Sequence, residues 1–319
     1  MAARLLNDGQ LAAVDELFAA GQRGLTDRIA DCLSRLFEQE DREAEGGDQE
    51  GGAPEAEGGG QEGGDQRVTI VRGVALVACW NDRGSFLTVL WNGLCNLPGA
   101  RFAERVFNEG LHHLLHRAAS FGSTGAIQAL LGLRRPKDGG AALCADALDA
   151  ACMTPLDHAV SQRHVGAARF LLGSNASVEG GHYASAYCTS GSVGTPLAVA
   201  TAQNDFPMMR LLLESEACLD EEPLYAAVSR GHCKMIRALA QAKADMNLKY
   251  DYGGTALHTA VRNDQVRAVS TILALKGDAE VRDVGNRTPL MLARKRAVLT
   301  GDANKVLCAL ERLLCVWMC

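Results

Sequence analysis

Three histidines crowd one short stretch of the chain, His112, His113 and His116 in GLHHLLHRAA. His112 and His116 are a helical turn apart, so on a helix their imidazoles share a face and two ring nitrogens are placed to ligate a transition metal. A protein metal site needs three or four such donors, and no third ligand follows at a convincing spacing. The stretch therefore predicts structural histidines and no metal. Two glycine-rich runs, SGSVGT (190–195) and GGGQEGG (58–64), invite comparison with phosphate cradles. Neither follows a strand and opens a helix with the Lys-Ser/Thr that reaches phosphate oxygens, so no nucleotide is expected. No GxSxG, HExxH or kinase signature occurs. A Cys–His pair is available from eleven cysteines and eight histidines, but most of them fall in apolar helical stretches, where they serve packing. The chain is expected to be no enzyme, with no catalytic residue and no cofactor.

Composition sets the frame around these residues. Cysteines are scattered through apolar stretches (Cys32, Cys79, Cys95, Cys308, Cys315), their number is odd and no CxxC pair exists, which predicts buried, reduced thiols. No apolar run reaches the roughly 18 residues that span a bilayer, and Asn7, Asp8, Asp15 and Glu16 interrupt the opening stretch, unlike a secretory signal. A soluble protein of the cytoplasm is expected, with the nucleus as the alternative. Basic clusters such as LRRPKD (133–138) and ARKRAV (293–298) lack interleaved aromatics, so nucleic acid is not the expected partner. The net charge of −6 is uneven. Residues 38–65 hold eleven acidic residues, one Arg and nine Gly, with nothing apolar larger than Ala. Such a segment cannot bury enough surface to offset the entropy of ordering, so 38–66 is expected to be a disordered acidic linker.

The elements that must position any functional residue repeat. TPLDHAV starts at Thr154, TPLAVAT at Thr195, EPLYAAV at Glu222, TALHTAV at Thr255 and TPLMLAR at Thr288, with HLLHRAA at His113 a weaker sixth. Thr supplies a helix N-cap oxygen, and Pro at the first helical position needs no amide donor. Leu and two small residues form the buried face of a short first helix. A Gly or polar pair breaks it, as in SRGH (229–232) and RNDQ (262–265). A second helix follows with apolar spacings of three and four, as at Met235, Ile236 and Leu239. One such pair cannot bury its own apolar face, whereas a row of at least three can.

These segments resemble ankyrin repeats, whose units carry TPLHLAA, a GH turn, a leucine-rich second helix and GADVN. GTALHTAVRNDQVRAVSTILALKGDAEV and EPLYAAVSRGHCKMIRALAQAKADMN are the units most like that pattern. The resemblance covers about 113–315 and implies an all-α solenoid of stacked helix pairs, with five or six units and a C-terminal cap over 113–319. There are departures. Asp157, Ala198, Tyr225 and Met291 stand at the motif histidine, extra loops are expected around 134–148 and 176–192, and a hairpin finger is missing after Cys218. In the N-terminal third, LLNDGQLAAVDELF, VFNEGLHHLLHRA and LWNGLCNL more loosely resemble armadillo helices. That resemblance divides the region into N-terminal helices over 1–37 and armadillo-like helices over 67–112.

The ankyrin resemblance implies a protein-binding scaffold or adaptor, a monomer that docks its partner on the concave face made by first helices and fingers. The positions just past the small pair of each first helix carry Gln162, Gln203, Ser229, Arg230, Arg262 and Asn263, and the fingers add Tyr250, Asp251, Tyr252 and Arg282. The alternative is a substrate-recruiting subunit of a regulatory enzyme complex such as a ubiquitin ligase or kinase. Leu239, Asp245, Met246 and Asn247 also match the arrangement that asparaginyl hydroxylases recognise in ankyrin repeats, which makes Asn247 a candidate modification site.

Overall fold

The structure, a computed structural model, describes residues 66–95, 113–133, 143–181, 194–250 and 253–300, together with Ala19, Val306, Cys308, Leu310 and Glu311. The expected helices over 1–37, nearly all of the acidic linker, and Asp251 and Tyr252 lie outside the described residues. Gln66, assigned from sequence to the linker, instead opens a helix.

Every described element is helical, and the chain divides into two compact units, Met1–Ala176 and Ser177–Cys319. The first unit contains α1 (Gln66–Trp80), α2 (Gly84–Cys95), α3 (through 113–121), α4 (Thr124–Gly132), α5 (Pro155–Ser161) and α6 (Val165–Gly173). In it α2 packs on α4 and α4 on α6, so second helices form one layer. The second unit contains α7 (Pro196–Ala202), α8 (Phe206–Glu214), α9 (Glu221–Ser229), α10 (Cys233–Gln241), α11 (Ala256–Arg262), α12 (Val266–Ala274) and α13 (Pro289–Thr300). Here the first helices α7, α9, α11 and α13 lie side by side, and α10 packs on α12.

Three short first helices start where Thr stands, at Thr154, Thr195 and Thr255, while Asp220 caps α9. Thr154 Oγ1 accepts from the Asp157 amide, and the Asp157 carboxylate accepts in return from the Thr154 amide at 2.8 Å, a complete capping box. In the next unit of sequence Ala198 has no side chain to answer Thr195. Glu222 reaches across from the following pair instead, its Oε2 accepting from the Thr195 amide at 3.1 Å. Small and branched side chains seal the pairs: Leu156, Ala159 and Val160 against Ala167, Ala168 and Leu171, and Leu257, Ala260 and Val261 against Ala268, Val269 and Ile272, all at most 1% exposed.

Five first helices, α3, α5, α7, α9 and α11, end on the same closure. An amide five residues on donates back to a fully buried Ala carbonyl: Ser123 to Ala118, His164 to Ala159, Asp205 to Ala200, His232 to Ala227 and Gln265 to Ala260, at 2.8–3.0 Å. The residue before the donor takes positive φ: Gly122, Arg163, Asn204, Gly231 and Asp264. The turn between α1 and α2 is built the same way, with Asp82 at φ 51° and the Arg83 amide donating to Ala78 at 2.9 Å. Asn81 even repeats the side-chain bond of Asn263, to the carbonyl four residues back. Residues 66–95 are therefore a helix pair closed by the same turn as the later pairs. Residues 96–112 lie outside the described residues.

The thiols differ from expectation in two ways. Cys79 is buried, and burial, helped by the nearby Asp82 carboxylate, pushes its thiol up to about 12. Cys144, Cys218 and Cys308 are exposed, because they stand in loops or on outer helix faces. Cys152 is disulfide-bonded, which overturns the reduced state expected for it; its partner lies outside the described residues.

Candidate functional site

The recurrent turn decides which side chains reach solvent at the end of each first helix. Gln162, Gln203, Arg230 and Asn263 are the C-cap residues of α5, α7, α9 and α11, one position before the positive-φ residue. Gln162, Arg230 and Asn263 are exposed there, and Gln203, Ser229 and Arg262 are half-buried. Ser229 spends its hydroxyl on the Ala226 carbonyl and Asn263 its amide on the Thr259 carbonyl. Arg230 caps the neighbouring first helix, its guanidinium donating to Ala202 O at 2.8 Å, and His232 Nε2 donates to the same oxygen at 3.2 Å. The predicted positions thus recur at equivalent places, one set per pair.

The fingers treat their predicted residues differently. Arg282 is exposed, its guanidinium donating to Asn286 O at 3.2 Å. Tyr250 is only 5% exposed, so its expected contact role is corrected. Its ring packs edge-on against Tyr225, with centroids 5.3 Å apart at 80°. Tyr225 is 40% exposed at the place where the preceding finger is missing. Asn247 is exposed, but its side chain is engaged: Oδ1 accepts from the Asp278 amide of the next finger at 2.8 Å. That bond ties one finger base to the next, the structural role of a turn asparagine.

Sequence reasoning missed a charged cluster beside Arg282. Asp283 has a fully buried side chain, and the Arg287 guanidinium donates to it through Nε at 3.1 Å and NH2 at 2.8 Å. The Arg287 amide donates to its other oxygen at 2.9 Å, and Arg262 NH2 stands 3.7 Å from Oδ2. Burial alone would raise the Asp283 carboxyl, but the Arg287 hydrogen bonds and charge outweigh it and hold it at about 2. The signal was present in DVGNRTPL, an acid four residues before an Arg that itself precedes a helix start.

His116, His158, His164, His232 and His258 are engaged in structural hydrogen bonds. His116 Nε2 donates to Ala147 O and Met153 O, and His164 Nε2 to Ser120 O. His258 is wholly buried; Nε2 donates to Arg287 O at 2.9 Å, so Nδ1 must accept, and it does so from the Thr255 amide. Burial of the ring pushes its pKa below the usual imidazole value. Asp149 meets His158 at 2.8 Å; burial would raise its carboxyl, but bonds from the Met153 amide, His158 and the Ala151 amide bring it below the usual range. Among the described residues no group of three His, Cys, Asp or Glu is placed to hold a metal. An open groove of about 640 Å³ between α2 and α4 is lined by Gly84, Thr88, Trp91 and Gly125 and gathers no titratable cluster. No helix among the described residues is long and apolar enough to cross a membrane.

Two family descriptions match this geometry: "Ankyrin repeats (many copies)" over residues 115–172 and "Ankyrin repeats (3 copies)" over 224–308. Over 86 residues the chain is 29% identical to palmitoyltransferase ZDHHC13 of Danio rerio, covering 27% of this chain and 13% of that protein. Over 86 residues it is 33% identical to the B-cell lymphoma 3 protein homolog of Mus musculus, covering 26% of this chain and 19% of that protein. The chain thus spans less than a fifth of the length of either relative. Solved structures similar in fold include an ankyrin repeat domain from Acinetobacter baumannii AYE (24% identity, TM-score 0.51, 63% of this chain and 96% of that one). The ankyrin repeat domain of Bcl-3, described as a unique member of the IkappaB protein family, matches at 22% identity and TM-score 0.55, over 74% of this chain and 97% of its own. The human ASB11 ankyrin repeat domain matches at 18% and 0.53, over 75% and 96%. At these identities the structural likeness speaks for fold alone, and with the family matches it leads to one conclusion: residues 115–172 and 224–308 are ankyrin repeats.

Proposed function

We propose that the chain is a non-catalytic scaffold or adaptor that binds a protein partner on the concave face formed by the ends of its first helices and its fingers. The observation that carries this reading is the recurrence of exposed polar residues, Gln162, Arg230 and Asn263, at one register position three residues past a buried Ala. Residues in such a row vary without disturbing the stack, which lets a repeat surface be shaped to a partner. Gln162, Gln203, Ser229, Arg230, Arg262, Asn263 and Arg282 remain its contact residues; Tyr250 is withdrawn because it is buried. The cytoplasm, or the nucleus, is the proposed compartment.

Bulk on that face tests the reading whatever the partner's charge. Affinity capture from a lysate with the full chain, followed by peptide identification, is expected to lose its partner when Gln162→Trp and Asn263→Trp are introduced together. Helicity and Tm should stay as in the parent. Capture at full strength by the double variant sinks the assignment.

A further inference from the structure

We propose that Arg262 and Arg287 form a carboxylate-binding site, and that its occupant is an acidic segment of another protein lying along the ends of α9 and α11 and the middle of α13. This rests on the partner-binding reading above and adds the chemistry of the partner.

Two guanidinium groups face one buried carboxylate. Asp283 Oδ2 lies 2.8 Å from Arg287 NH2 and 3.7 Å from Arg262 NH2, and the Asp283 side chain is fully buried, while the two arginine side chains are 34% and 36% exposed. One negative charge therefore answers two positive ones, and the arginines repel each other across it. A second carboxylate arriving from solvent relieves that repulsion. The site is also arranged in advance. Asp283 holds Arg287 by two nitrogens, and the Arg287 amide fixes Asp283 in turn. Arg262 meets Asp283 with one nitrogen; among the described residues the rest of its fork meets no other carboxylate. A guanidinium held in place loses little freedom when its remaining N–H donors grip a planar anion.

The surroundings extend the charge. Lys295 occupies in α13 the register that Arg262 occupies in α11, and is exposed; Arg230 is exposed at the end of α9 and donates to a carbonyl, not to an acid. Of the nearby described acids, Asp264 is engaged by Arg296 at 2.9 Å and Asp283 is buried. The end of α7 in the same unit carries only Ala202 and Gln203, so the positive charge is confined to the later pairs. Arginine forks grip phosphate as readily as carboxylate. The ends of α9 and α11 and the middle of α13 offer no aromatic platform on which bases would stack, which favours a peptide over a nucleic acid.

Fluorescence anisotropy with the full chain tests this. The probes are a labelled Glu-Ser repeat peptide of about a dozen residues, the same peptide with Gln for Glu, and a single-stranded oligonucleotide of similar length. The Glu peptide is expected to bind and the Gln peptide not. Raising salt from about 50 mM to about 300 mM should weaken binding several-fold. Arg262→Gln with Lys295→Gln should weaken it roughly tenfold. That pair of substitutions leaves the Arg287–Asp283 bonds in place, so the cluster keeps its buried carboxylate satisfied. Arg267→Gln with Lys276→Gln, away from the row, should change nothing. No binding of the Glu peptide, equal affinity in the Arg262/Lys295 variant, or tighter binding of the oligonucleotide overturns the proposal. If it falls while Gln162→Trp with Asn263→Trp still abolishes capture, the binding surface stands and its partner has another chemistry.

Discussion

At the scale of single residues, the chemistry of this chain is that of held protons and held charges. His258 keeps its proton on Nε2 for Arg287 O and its lone pair on Nδ1 for the Thr255 amide. A second proton would turn that acceptor into a donor facing a donor. Its folded pKa accordingly lies below the ordinary value of 6.5, so folding releases protons there. The stability this residue contributes is complete above pH 6.5 and is lost as pH falls through the folded value. Asp283, held at about 2 against an ordinary 3.8, contributes stability that is complete above about pH 4 and is lost toward pH 2. Thermal melts from pH 7.5 downward should show Tm falling first in the mildly acidic range. His258→Gln should flatten that first fall and leave the later one; an unchanged profile in the variant would mean His258 is not its source. None of this could be read from TALHTAV alone. The histidine was visible as a motif position, but its proton is set by Arg287 O, twenty-nine residues on.

At the scale of elements, the turn closing each first helix is where sequence and structure can be compared most directly. Its positive-φ residue is Gly in two pairs and Arg163, Asn204 or Asp264 in others. An L-residue there costs about 1 kcal/mol relative to Gly, least for Asn and Asp, which tolerate the left-handed region. Arg163→Gly should therefore stabilise by about 0.5–1 kcal/mol in denaturant melts. Gly122→Ala should destabilise by about 1–3 kcal/mol, because an added Cβ would stand 2.5 Å from His164 Nδ1. Equal effects of the two would show that the turn is not the constraint. The helix pairs from Thr154 onward were legible because Thr, Pro or both stand at each start ahead of the small residues, and the pair at His113, which has neither, was the weaker match. The pair α1–α2 was not, since it lacks that start and its first helix is fifteen residues long. Its signal lay further along, where Ala78-Cys-Trp-Asn-Asp matches Ala260-Val-Arg-Asn-Asp. Tyr250 was misplaced for a different reason. Its ring meets Tyr225 of the preceding pair, a contact between residues 25 apart that the finger pattern does not announce.

At the scale of the whole molecule, charge is the property that sequence alone apportions. Residues 38–65 carry a net charge of −10 within a total of −6, so the remainder is cationic. Deleting 38–65 should move the isoelectric point from about 5.8 to the alkaline side of neutrality, as isoelectric focusing will show. An isoelectric point still below 7 would mean that the ionisation of the remaining groups is not the ordinary one. The spacing between repeats is uneven, 41, 41, 27, 33 and 33 residues, and the Ala-anchored closure accounts for that tolerance. Because every bond that shuts a turn begins and ends inside its own pair, added or lost residues between pairs carry no error of phase into the next. Such a chain can be edited at its joints, lengthened by a loop or shortened by a finger, while each piece goes on folding to the same pattern.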